Sequence, residues 1–242
     1  MRSRNPAFRD SVLTQLEVGA ETMTVRGTAH KAAALTILVL TSAIWSWGQM
    51  RSGAPTAPLI MGVGLFGGLI LALVTIFKRS WAGVTSPAYA LFEGLVLGGL
   101  SAIFETSYPG IVVQAVGLTF GTLFAMLAVY STGLIRATER FKIGVVAATG
   151  GVCLLYLGSM ILGLFGRHVP FLHESSPLGI AFSVVVVIIA ALNLVIDFDF
   201  IERAAAAGAP KFMEWYGAFG LLVTLVWLYM EVLRLLSKLR RR

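Results

Sequence analysis

The sequence predicts an all-α membrane protein, a bundle of seven transmembrane helices behind a short polar N-terminal arm. Three observations carry this. Hydrophobic residues make up 57% of the 242 positions and charged residues only 13%, where soluble domains carry about 25% charged residues; mean hydropathy is +0.84. Several apolar stretches reach the roughly 20 residues that cross about 30 Å of hydrocarbon as a helix, and the short alternating segments of a barrel are missing. Lys and Arg gather at the ends of these stretches, as topology requires.

Residues 1–28 read as a basic cytoplasmic arm, with Pro6 ahead of a weakly amphipathic stretch suited to a membrane surface. Residues 29–238 form the transmembrane domain, with spans expected at about 31–50, 58–77, 87–106, 111–133, 143–166, 178–201 and 214–236. Residues 239–242 are a basic tail. The connections are short and rich in Pro and Gly, such as "SGAPTAP", "SYPG" and "AAAGAP".

The cations orient the bundle. With the N-terminus inside, the inner side holds Arg2, Arg4, Arg9, Arg26, Lys31, Lys78, Arg79, Arg136, Arg140, Lys142, Arg203 and Lys211. The outer side holds Arg51 and Arg167 before the tail, so the N-terminus is expected in the cytoplasm. An odd number of spans sends the basic "RLLSKLRRR" outside, against that tendency. Either the last span crosses regardless or the segment is re-entrant; its length favours crossing.

The net charge of +7 is explained by these span ends, and no recognition module points to nucleic acid. The single Cys153 has no disulfide partner within the chain and reads as packing. Gly64 with Gly68, Gly94 with Gly98, and Gly117 with Gly121 stand four apart and are expected to let helices approach closely. His30, His168 and His173 all lie outside the spans, so no intramembrane His offers a base or a metal cluster. Membrane Ser and Thr residues lack a neighbouring base, and the chain does not read as an enzyme. The sequence identifies neither a cofactor nor a metal site.

Acids inside the spans are the informative groups, because each is costly at membrane depth. Asp197 precedes Arg203 by six residues and Glu93 follows Pro87 by six, so both are expected about 9 Å inside their helix ends, on the same side. Asn193 shares the face of Asp197, whereas Asp199 lies about 200° round with Glu202 and Arg203 and reads as an interfacial acid. Glu93 interrupts "YALFEGLVLGGL" with no cation within a turn. Lys78 and Arg79 close the second span on that side; they either snorkel to phosphates or reach back towards Asp197. Glu214 opens the seventh span, where the helix dipole favours an acid, and Glu231 pairs with Arg234.

"RNPAF", "MTVRGTAHKAAAL", "YALFEGLVLGGLSAIFE", "NLVIDFDFIE" and "PKFMEWYGAFGLLVTLVWLYMEVLRLL" together resemble the Bax inhibitor superfamily of transmembrane Bax-inhibitor-motif proteins, in particular its bacterial YccA-like branch. The resemblance implies a seven-helix bundle with a central last helix, acting as a pH-sensitive calcium leak or channel, calcium being the transported ion. It implies an acid pair between the sixth and seventh spans, with a basic residue of the second span latching the closed form. It also implies a bacterial inner membrane and, as the alternative function, a non-conducting regulator that binds a membrane-anchored AAA protease. Carried onto this chain, the sixth-span acid falls on Asp197, with Asp199 as the second register. The seventh-span acid would fall near Val223, within "GLLVTLV", where no acid stands. Glu93, at similar depth, is the expected replacement, sharing a proton with Asp197 in a proton-sensitive gate.

Overall fold

A computed structural model describes residues 21–166 and 175–241. Most of the N-terminal arm, with Arg2, Arg4, Arg9 and Pro6, lies outside the described residues, as do Arg167, His168 and His173. Seven helices follow one another: α1 (Val25–Arg51), α2 (Ala57–Phe77), α3 (Ala82–Ser107), α4 (Ile111–Ser131), α5 (Glu139–Leu164), α6 (Pro177–Ala206) and α7 (Met213–Arg240). A single 3₁₀ turn, Arg79–Trp81, joins α2 to α3. Among the described residues these seven helices are long and apolar enough to cross a membrane. At 1.5 Å per residue the 28 residues of α7 span about 42 Å, so the last segment is one continuous, crossing-length helix.

Several helices run beyond their expected spans, and local signals explain where they begin. The Thr24 side chain accepts a hydrogen bond from the Gly27 amide, so α1 begins at Val25 rather than near residue 31. Ser176 caps α6 in the same way, with Pro177 in its first turn. Pro87 does not open the third helix; it sits inside α3, which starts five residues earlier at Ala82. Asp197 is thus nine residues from the end of α6 and Glu93 eleven from the start of α3, depths of about 14 and 16 Å along their helices rather than 9 Å.

The centre of the bundle is α7, which packs against α6, α1, α4 and α3, while α2 leans on α3 and α5 on α6. Two apolar cores meet along it. One joins Ile111 and Ala115 of α4, Leu194 and Phe198 of α6, and Leu228 and Val232 of α7. The other joins Leu35 and Val39 of α1, Tyr89 and Leu97 of α3, and Phe219 and Leu222 of α7. The outer surface is apolar, with Phe66, Phe77, Val113 and Leu154 exposed, as lipid contact demands. Cys153 is on this exposed surface of α5 and packs in no core, contrary to the sequence reading.

Helix contact in lipid depends on close backbone approach rather than on exclusion of water. A Cβ at Gly94 would collide with Ser42 and the Val39 carbonyl, and one at Gly98 with the backbone of Ala43, so these two residues bring α1 onto α3. The Ser46 hydroxyl donates to the Leu95 carbonyl at 2.7 Å across the same seam. Gly64 and Gly68 do similar work between α2 and α3, meeting Phe92 and Glu93. Gly117 and Gly121 meet nothing within 4 Å. Their spacing is the same, but they face away from the bundle, and the expected packing role does not hold for them.

Candidate functional site

The acids of the sequence reading occupy separate environments. Asp197 is set against the central helix. From α6 its carboxyl stands beside the Thr224 hydroxyl of α7 and near Gly220, and its Oδ2 atom is buried without a hydrogen-bond partner. Thr224 donates to the Gly220 carbonyl at 3.3 Å. The residue of the seventh helix that faces Asp197 is therefore Thr224, one place after Val223, which points outward and is 37% exposed. A hydroxyl stands where the resemblance places an acid. Asn193, one turn before Asp197, turns instead to α5, donating to Thr149 at 2.8 Å.

Glu93 has other neighbours. Its carboxyl lies beside the Tyr89 hydroxyl one turn back and approaches Gly68 of α2. Tyr89 in turn packs edge to face on Phe219 of α7, with ring centroids 5.0 Å apart. Helices α3 and α6 share no packed interface. The Asp197 carboxyl thus faces α7 while that of Glu93 faces α2, and the structure does not bring the two carboxyls together. Similar depth was legible in the sequence, but the different helices that the two acids face were not.

Arg79 lies over the ring of Tyr216, 5.3 Å from its centroid, and Lys78 over that of Trp81 at 5.7 Å. Tyr216 also meets Phe200 of α6 and Phe219. Arg79 therefore reaches the α6 and α7 ends through an aromatic stack, and among the described residues neither cation pairs with Asp197 or Glu93.

Asp199 sits on a separate face, as the helical spacing requires. Its Oδ2 is 3.0 Å from Lys142 Nζ of α5 and 2.6 Å from Arg203 Nη2, ion contacts that lack the alignment of hydrogen bonds. The Tyr130 hydroxyl donates to Glu202 at 2.5 Å. Tyr130, Asp199 and Glu202 border a polar recess of about 360 Å³ at the ends of α4, α5 and α6. Asp199 is less solvated than the sequence suggests, because Lys142 covers it from the neighbouring helix.

The most heavily bonded acid is Glu214. It is 1% exposed, pairs with Lys31 of α1 and, at 3.3 Å, with Lys211, and accepts the Thr24 amide and hydroxyl at 2.9 Å each. Backbone bonds from Met23 to Ala209 and from Lys211 to Glu21 close the same corner. Glu214 thus staples the start of α1 to the start of α7, a role the dipole argument missed. The signal was present in "MTVRGTAHK", whose Thr24, Gly27 and Lys31 all converge on this carboxyl. At the opposite end Glu231 is also buried, held by Arg234 at 3.0 Å, Trp227 and the Tyr156 hydroxyl. Nearby, Lys238 donates to the Gly179 carbonyl at 3.0 Å and to Ser183 at 2.8 Å. Among the described residues no three His, Cys, Asp or Glu side chains converge closely enough to hold a metal ion.

These features define a multi-pass helical membrane protein with buried acids arranged around a central last helix. The family described as Bax inhibitor 1 like matches residues 5–241, and the chain belongs to that family. No curated protein and no solved structure matches it.

Proposed function

We propose that the protein is a pH-sensitive cation leak, calcium being the ion expected, in which the protonation state of Asp197 sets how α6 packs on α7. The observation that carries this reading is the Asp197 carboxyl oxygen buried against the central helix with no partner. A buried polar atom without a partner costs about 1–3 kcal/mol, so a change in its charge acts directly on the α6 and α7 contact. Family membership supports the reading from a second direction. Glu93 is the second titrating group, acting on α7 through Tyr89 and Phe219, and the Arg79 stack on Tyr216 is the latch at the helix ends. In this reading the face where α1 begins is cytoplasmic, the membrane is a bacterial inner membrane, and the branch is the YccA-like one.

The test is calcium entry into liposomes holding the purified protein, followed with a trapped dye across pH. Wild-type flux that changes with pH, and a flattened response in Asp197→Asn, is the expected result. Flux no greater than in empty liposomes at any pH would overturn the leak and leave the non-conducting regulator of a membrane protease.

A further inference from the structure

A lateral cleft of about 380 Å³ opens between α1, α3, α4 and α7, and no acid, base or gate residue described above lines it. Its walls are apolar, with Leu40, Ala43 and Ile44 from α1, Val116 and Phe120 from α4, and Leu222 from α7. Its polar groups include Ser101 and Tyr229, which spend their hydroxyls on each other at 2.6 Å.

Length and position identify what fits. Along α1 the lining runs from Thr36 to Trp47, eleven residues further on, or about 16 Å of helix. The hydrocarbon of one leaflet, half of a core of about 30 Å, is about 15 Å deep. Trp47 lies one turn from the end of α1, at the depth where indole rings meet the headgroups. Arg51 follows four residues on, on the same face of the helix, and is exposed. An apolar slot one leaflet deep, with a tryptophan at its rim and a cation one turn above, matches a phospholipid in both parts.

The geometry points to a bound phospholipid of the leaflet at the C-terminal end of α1, with one acyl chain in the cleft and its phosphate at Arg51. The chain would fill the space that α1 and α4 leave in front of α7, completing the packing of the central helix on that side.

The experiment uses the full-length protein in vesicles of phosphatidylglycerol containing a trace of a phospholipid with a photoreactive diazirine on one acyl chain. After irradiation the labelled peptides are mapped by mass spectrometry. Label concentrated on the cleft walls of α1 and α4 is expected, falling at least five-fold in Val116→Trp and Ala43→Phe, which fill the slot from opposite sides. Arg51→Ala is expected to lower it several-fold while leaving the walls intact. Each variant is first shown to be monodisperse in detergent, and two filling variants are used so that one folding failure does not decide the matter. Label spread evenly over exposed positions such as Leu118 and Ile70, or unchanged by both filling variants, would overturn the site. Cleft label that is indifferent to Arg51→Ala and equally strong with a photoreactive hydrocarbon lacking a headgroup would overturn the phospholipid as its occupant.

Discussion

Gly27 of α1 and Glu214 of α7 occupy one space: a Cβ on residue 27 would lie 2.6 Å from Glu214 Oε2, so only glycine leaves room for the carboxyl. That carboxyl binds Thr24, Lys31 and Lys211, which makes a single small residue the condition for the bond between the first and last helices.

Gly27→Ala should therefore displace Glu214 and leave buried donors without an acceptor. The expected loss is about 1–3 kcal/mol, read as a lower midpoint of thermal unfolding in detergent. Glu214→Gln should fall in the same range and, combined with Gly27→Ala, add little, because both remove one network. Full additivity of the two would show that the Gly27 space serves something else.

For the gate, the separate neighbours of Asp197 and Glu93 change what a double variant should do. Were the two acids one proton-sharing unit, Asp197→Asn and Glu93→Gln together would do no more than the stronger single change. Facing different helices, they should combine additively in the logarithm of the flux ratio, to within about 0.5 kcal/mol. A strictly non-additive pair in the liposome assay would reinstate direct coupling.

Asp199→Asn removes the partner of Lys142 and Arg203 on a different face of α6. With Arg203 more than half exposed, the expected stability loss is no more than about 1 kcal/mol, and the pH response of flux should remain. Loss of that response would move the sensor from Asp197 to Asp199.

The glycine pairs offer a control with identical spacing. Gly94→Ala must push α1 from α3 and should lower the unfolding midpoint sharply. Gly117→Ala, with nothing within 4 Å, should be neutral or gain up to about 1 kcal/mol from helix propensity. Equal destabilisation by both would contradict the packing described.

Orientation is checked by reporter fusions. One after Arg140 should read cytoplasmic and one after Glu105 external; a fusion after Arg242 should also read external if α7 crosses.

The number of helices and their membrane character were determined by the sequence alone, because an apolar run long enough to cross lipid is a local property. The face each helix turns inward was not. In lipid a helix can be apolar all round, so its hydrophobic pattern does not mark the inner side. Hence Gly94 and Gly117 have the same spacing and opposite surroundings. Asp197 and Glu93 were legible as costly buried acids at similar depth, and the two faces of "DFDF" followed from helical geometry. Only the tertiary structure decided that those two acids face different helices, that Thr224 faces Asp197, and that Glu214 closes the corner of α1 and α7. Each of these depends on contacts between residues far apart in the chain, formed when helices that were individually determined pack in one particular rotation.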